Sequence, residues 1–252
     1  MKRITGGPAA VPMEKRELYS RLAVFPPVFV RLDGRAFHRL ARLLDFAKPF
    51  DEGFSDAMCT VCTALLRESG MNPLFAYTFS DEISLFFDRL PFDGRVEKID
   101  SVCASFAASA LALALDAPAP LAFDARIVAV SPETAVDYLA FRQREAWRNH
   151  CNAYCQYALI SDGMTSRQAA SALKGTGSPG MHEMMFSRGI NLAQTPAWER
   201  RGVLVCRAAV EKEGYNPVTG ETVTVTRRQI RVNRDLPLFS EPDGISLIRS
   251  LM

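Results

Sequence analysis

The sequence lacks a hydrophobic run of membrane length. The uncharged, Ala-rich stretch from Val102 to Leu115 closes at Asp116 and Pro118, short of the ~20 residues that a bilayer requires. No apolar leader is expected either, because Lys2 and Arg3 run into Gly-, Pro- and Ala-rich sequence. A cytoplasmic, reducing setting is therefore expected, with no membrane partner. Histidine is scarce, at three in 252 residues. No second histidine follows His182-Glu183 at zinc-protease spacing, which leaves that pair a structural role. Cys59 and Cys62 form a lone Cys-x-x-Cys within a helical pattern, and a zinc ribbon would need a second pair. The six cysteines (59, 62, 103, 151, 155 and 206) read as buried thiols. Metal or redox chemistry at Cys151 and Cys155, one turn apart beside His150, is the lesser alternative. Internal repeats and low-complexity tracts are absent.

With 48% hydrophobic and 23% charged residues and a net charge of +2, the chain is too apolar and too neutral for disorder. That small total hides a segregation. Residues 1–50 carry ten basic against four acidic residues, 51–140 five against fourteen, and 141–252 fifteen against ten. Basic ends around an acidic middle suit an anionic partner held by the flanks; scattered solvated charge is the plainer reading.

Hydrophobic spacing divides the chain. Residues 1–13 read as a flexible tail. Val28 to Leu32 is a short buried strand stopped upstream by Pro26-Pro27, and Asp33-Gly34-Arg35 is a turn. Helical spacing covers Phe37 to Leu44 and Asp56 to Glu68. Strands follow at Phe75 to Phe79 and Ile83 to Phe87, with Ser80-Asp81-Glu82 at the bend. A helix from about Val96 to Leu115 and a strand from Phe123 to Val130 complete a β-α-β-β-α-β order, the ferredoxin-like split unit. Pro132 opens a long helix after Ser131, and Thr165 with Gln168 makes a capping box. Val203 to Cys206 and Val223 to Thr226 read as a hairpin around Asn216-Pro217 and Gly220. The expectation is an α+β module over 14–131, with a helical and hairpin extension over 132–252 packed on it.

In such a sheet the third strand pairs antiparallel with the first, so Asp33 meets Asp81 and Glu82 at one edge. Gly34 lets the backbone approach closely. Converging carboxylates repel unless a cation or proton lies between them. Oxygen donors without nearby His or Cys suit Mg²⁺, and two such ions would align an attacking hydroxyl with a leaving pyrophosphate. The plainer reading makes Asp33 a helix cap and Asp81-Glu82 a polar turn. Arg95 and Lys98 open a helix, where phosphate is favoured, or are simply a solvated first turn. Arg31, Arg35 and Lys48 add positive charge.

These residues carry a resemblance. Val30-Arg-Leu-Asp-Gly-Arg-Ala-Phe-His38, Phe46-Ala-Lys-Pro49 and Ser80-Asp-Glu82 resemble the tRNA-His guanylyltransferase family of 3′–5′ nucleotide-adding polymerases. Similarity continues through Phe123-Asp-Ala-Arg126, Trp147-Arg-Asn-His150, Leu173-Lys-Gly-Thr176 and Arg201-Gly-Val-Leu204, nearest to the shorter archaeal and bacterial "like" branch. The resemblance implies a palm domain holding two Mg²⁺ ions on Asp33, Asp81 and the Gly34 carbonyl, with Glu82 in a supporting catalytic role. It implies a nucleotide site of Asp33, Gly34, Arg35, Ala36, Phe37, His38, Lys48, Asp51, Ser80 and Asp81, with Arg95 and Lys98 on the triphosphate. His38 is alternatively a packing residue. ATP would activate a tRNA 5′-monophosphate, and GTP or another nucleotide would then be added, in a homotetramer. His150 and Asn152 would face RNA, although His150 also reads as a core histidine. Arg200-Arg201 and Arg227-Arg228 read either as phosphate contacts or as solvated hairpin charges.

Two departures matter. The family's His-Ile-Asn-Asn run stands here as His150-Cys151-Asn152-Ala153, and the Gln before Ser-Asp-Glu is Phe79. Both favour template-dependent 5′-end repair of several tRNAs over strict choice of tRNA-His. A palm-fold nucleotide cyclase or signalling-nucleotide synthase is the alternative enzyme, and a non-catalytic RNA-binding module the alternative outside catalysis.

Overall fold

The structure, a computed structural model, describes residues 16–215, 220 and 222–252. The tail expected over 1–13 and the Asn216-Pro217 turn lie outside the described residues. Strands β1 (Val28–Gly34), β2 (Phe75–Phe79), β3 (Glu82–Phe87) and β4 (Phe123–Ala129) lie side by side as β4-β1-β3-β2. Every pairing is antiparallel, which is the α+β, ferredoxin-like arrangement expected from the sequence. Helices α1 (Phe37–Leu43) and α2 (Glu52–Arg67) join β1 to β2, and α3 (Val96–Ala114) joins β3 to β4.

Alternation along β1 sorts the core into two layers. Val28, Val30 and Leu32 pack with Val61, Leu65, Ile99 and Leu111 of α2 and α3. Phe29 points the other way, toward the layer that contains Leu139 and Phe239, and period-two geometry puts Arg31 and Asp33 on that second face. The helix covering it is α4 (Pro132–Ser161), opened by a Ser131–Thr134 capping box with proline in its first turn. Helices α5 (Ser166–Leu173) and α6 (Ser178–Phe186) pack on the distal half of α4 around Cys151, Cys155 and Met185. α7 (Ala197–Arg201) lies against α4 as well, and α8 (Pro242–Arg249) closes the chain.

Two segments differ from the sequence reading. α2 begins at Glu52 rather than Asp56, because Asp51 caps it: one carboxylate oxygen accepts from Phe54 N–H and the other from Ala47 N–H, both at 2.7 Å. The hairpin is also longer, with β5 spanning Val203–Tyr215 and β6 spanning Thr222–Asn233. It continues the sheet edge-on rather than lying across it. Val203 to Cys206 pair with Thr78 to Phe75, and the rest of β5 pairs with β6.

All six cysteines are buried and unbridged. Burial pushes Cys103 up to about 12 and Cys151 up to about 11, so both are held as thiols. Among the described residues, no helix is long and apolar enough to cross a membrane.

Candidate active site

The β2–β3 turn and the end of β1 build one edge. Asp33 pairs with Glu82 on β3 and with Asp124 on β4, and directly opposed residues share a face of the sheet. Three carboxylates therefore stand in a row across three strands. Asp81 joins them from the turn, where Gly34 N–H donates to the Asp81 carbonyl at 3.1 Å. A Cβ on Gly34 would lie 2.9 Å from the Asp81 Cβ and 2.8 Å from the Phe37 ring, so only glycine permits this approach. Ala36 then turns through the left-handed region (φ 60°) to start α1.

Burial pushes the Asp81 carboxyl above its ordinary range. Bonding to its own backbone amide opposes that, the negative charge of Asp33 adds to it, and the Ser80 hydroxyl, 3.2 Å from Asp81 Oδ1, again opposes it. Burial raises Glu82 too, and Arg142 is its chief offset. The guanidinium forks onto Glu82, with Nε 2.7 Å from Oε1 and Nη2 2.5 Å from Oε2. With both oxygens taken up in this way, Glu82 steadies the strand end rather than standing open.

The edge opens into a cavity of about 360 Å³. Phe37, His38, Lys48, Asp51, Ser80, Asp81 and Asn152 line it, as does Asn149. The Lys48 ammonium sits 5.7 Å from the centre of the Tyr157 ring on the far wall. Cationic and aromatic groups thus face an edge of paired carboxylates, a shape and chemistry suited to a nucleotide carrying phosphate.

Two expected residue sets are not brought to this edge. Arg95 and Lys98 follow β3, whose Glu82 pairs with Asp33 and whose Phe87 pairs with Val28. The strand thus runs away from the carboxylates, roughly 17 Å at ~3.4 Å per residue. There Arg95 caps α3 and its Nε donates to the Phe92 carbonyl, while Lys98 lies over the Phe92 ring. Their expected hold on a triphosphate would thus act from the opposite end of β3 from the carboxylates. His150 is 0% exposed and stacked between Phe50 and Trp147, which places it as the core histidine of its two readings. Arg200 and Arg201 lie on α7 rather than on the hairpin.

The His150 environment has a measurable consequence. The Thr195 hydroxyl donates to the Leu192 carbonyl and lies 2.8 Å from His150 Nε2. Its single proton being used, it accepts from Nε2–H, and Nδ1 is left buried without a partner among the described residues. Burial, then the charges of Arg200 and His182, pulls His150 down to about 4. A depressed histidine contributes stability that is full above its unfolded value, near 6.5, and is lost as pH falls toward 4. Wild type is expected to lose about 3 kcal/mol relative to His150→Gln between pH 7 and 4, read from paired denaturant titrations. A constant difference between the two proteins would refute the assignment.

Sequence reasoning missed Asn149, Asp124 and Arg142. Asn149 shares its helical stripe with Asn152 and Ala153, a spacing visible in the sequence. Asp124 stands one strand over from Asp33 and was legible from the alternation of Phe123, Ala125 and Ile127. Arg142, sixty residues from its partner, left no sequence signal.

Comparison with known proteins agrees with this geometry. A family model described as tRNAHis guanylyltransferase matches residues 12–131, and one described as the Thg1 C-terminal domain matches 133–237. The "Probable tRNA(His) guanylyltransferase" of Mus musculus is 34% identical over 223 residues, covering 81% of this chain and 74% of its own. Two solved structures of bacterial tRNA(His) guanylyltransferase (Thg1)-like protein share the fold over 95% of this chain and 96% of theirs. The one in complex with GTP has a TM-score of 0.69 at 22% identity. The one in complex with ATP has 0.71 at 24%. On the matched family models and the mouse relative, this chain belongs to the tRNAHis guanylyltransferase family.

Proposed function

We propose that this protein adds nucleotides to the 5′ end of tRNA in the 3′–5′ direction, choosing each by pairing with the opposite strand of the acceptor stem. The observation that carries the reading is the Asp33–Asp81 pair, drawn together by the Gly34 amide, with Asp81 and Ser80 lining the 360 Å³ cavity. The relatives' names supply the tRNA, and the bacterial GTP and ATP complexes supply the nucleotides. A homotetramer, implied by the family, belongs to the same reading and is checked by light scattering.

The donor set fits magnesium. Asp33 and Asp81 are hard oxygen donors whose charges oppose each other. Among the described residues no group of three or more His, Cys, Asp or Glu side chains is arranged to hold a metal. Two carboxylates with the Gly34 carbonyl leave the other positions to water and phosphate, which is how Mg²⁺ is usually bound. When bound, two such ions neutralise charge developing on the phosphoryl oxygens and favour ionisation of the attacking hydroxyl.

The reaction has two transfers. An oxygen of the 5′-monophosphate attacks the α-phosphorus of ATP, and the bond to pyrophosphate breaks. The 3′-hydroxyl of the incoming nucleotide then attacks the activated 5′-phosphorus, losing its proton as AMP leaves. The chain's part is to position and neutralise: Lys48 supplies a cation to the cavity, the Ser80 hydroxyl orients Asp81, and Arg142 holds Glu82 beneath the turn. Phe79 and Ala153 line the cavity without polar side-chain groups, which supports selection by base pairing over selection by protein contacts. Alignment of the reacting hydroxyl is worth several powers of ten in rate.

The test offers all four nucleotides to tRNAs of differing anticodon, each shortened by one 5′ nucleotide. Restoration of the paired nucleotide on all of them is expected, faster than G addition opposite the unpaired position of full-length tRNA-His. Dependence on the His anticodon would return the protein to a dedicated tRNA-His role. Turnover of nucleotide alone would instead favour a cyclase.

A further inference from the structure

A second cavity, of about 350 Å³, lies on the other side of α4. Arg144, Arg200, Arg201, Trp147, Gln143 and Leu238 line it, together with small residues, and no carboxylate does. At 100° per residue, the stripe Ala140, Gln143, Arg144 and Trp147 faces opposite to Asn149, Asn152 and Gln156 of the nucleotide cavity.

The walls are held in place. Arg200 Nε donates to the Thr195 carbonyl at 2.8 Å, and Arg201 Nη1 to the Leu236 carbonyl at 2.7 Å. Gln143 accepts from Phe239 N–H and donates to the Pro237 carbonyl, fixing the segment that carries Leu238. Arg144 is exposed and lies against the Phe141 ring. Among the described residues, none of the three arginines makes an ion pair within 4.0 Å. Burial, then the charge of Arg201, lowers Arg200 from its ordinary value, against the opposing pull of Asp235 and Glu199. The cavity is thus a fixed cluster of incompletely neutralised guanidinium groups with apolar walls.

We infer that this cavity binds a phosphate of the tRNA backbone, away from the reacting 5′ end. Guanidinium forks match phosphate oxygens, and low-dielectric walls strengthen the attraction. The partly exposed Trp147 ring, held by its stack on His150, adds an apolar wall beside the arginines. A substrate that occupies the nucleotide cavity and also reaches behind α4 must be a polymer, which selects RNA over a free nucleotide. The inference rests on the reading that tRNA is the substrate.

The experiment measures equilibrium binding of full-length tRNA at several salt concentrations to wild type, Arg144→Glu, Arg144→Gln and the Arg144→Gln/Arg200→Gln pair. ATP, GTP and pyrophosphate binding are measured alongside. Thermal melting confirms folding, and the exposed Arg144 variants suffice if the paired variant does not fold. Arg144→Glu is expected to weaken tRNA binding about ten-fold or more, and the slope of log Kd against log salt is expected to fall by about one per arginine removed. Nucleotide and pyrophosphate binding should not change. Unaltered tRNA affinity and slope in folded variants would overturn the inference. Loss of nucleotide or pyrophosphate binding alone would also overturn it, by assigning the cavity to a free phosphate ligand. A wild type that binds tRNA through these arginines yet adds no nucleotide would defeat the proposed activity and leave the cavity assignment intact.

Discussion

Asp81→Ala lowers nucleotide addition by at least about a thousand-fold at saturating Mg²⁺, the scale set by removing a principal electrostatic stabiliser of a phosphoryl or acyl transfer. The same loss is expected for Asp33→Ala. Neither change should unfold the protein. Burial and the facing charge of Asp33 raise Asp81 above its ordinary range. A carboxylate raised by folding opposes folding at neutral pH, so its removal relieves repulsion. The expected pattern is therefore lost turnover with an unchanged or higher melting temperature. Single-turnover rates on a 5′-monophosphorylated tRNA, with melting curves on the same samples, check both halves. Near-normal turnover in either variant would sink the assignment of these carboxylates to the metals. Inactivity accompanied by a large drop in melting temperature would show that Asp81 is a structural turn residue.

Convergence of Asp33 and Asp81 was legible because it depends on strand alternation and antiparallel pairing, both written locally. The same logic, carried one step further, places Arg95 and Lys98. A third strand that starts at the carboxylate edge must leave it, so the helix after it begins at the opposite end. α2 began early because Asp51 satisfies two backbone amides at once, and only one of them lies within the helix itself. The hairpin's true length was hidden, since most of β5 pairs only with β6 and has less need of an apolar pattern than a core strand. His150 was ambiguous in one dimension. Its burial depends on Phe50, Trp147 and Thr195, and two of these lie far from it in sequence.

Arg142→Met is the substitution expected to cost most in stability. Arg142 and Glu82 are both buried and joined by a forked ion pair, with the guanidinium 5.6 Å from the centre of the Phe79 ring. Removing the arginine strands a carboxylate that burial already pushes upward, and breaking a buried pair from one side costs about 3–5 kcal/mol. The sign with pH follows. Without its partner, Glu82 is raised further, so the deficit relative to wild type is present at neutral pH. It shrinks as pH falls toward the unfolded value near 4.5 and Glu82 takes a proton. Denaturant titration at pH 7 and pH 5 measures both values. The double variant Arg142→Met/Glu82→Leu separates structure from function. Replacing both charges with apolar groups is often neutral for stability, so folding should largely recover. Nucleotide addition should not recover, because Glu82 pairs across from Asp33 and adjoins Asp81, and its fixed position sets the turn that holds the two carboxylates together. A double variant that regains both stability and turnover would reduce the pair to packing. A single variant losing less than about 1 kcal/mol would mean that water reaches Glu82 and that the carboxylate edge is not sealed by α4.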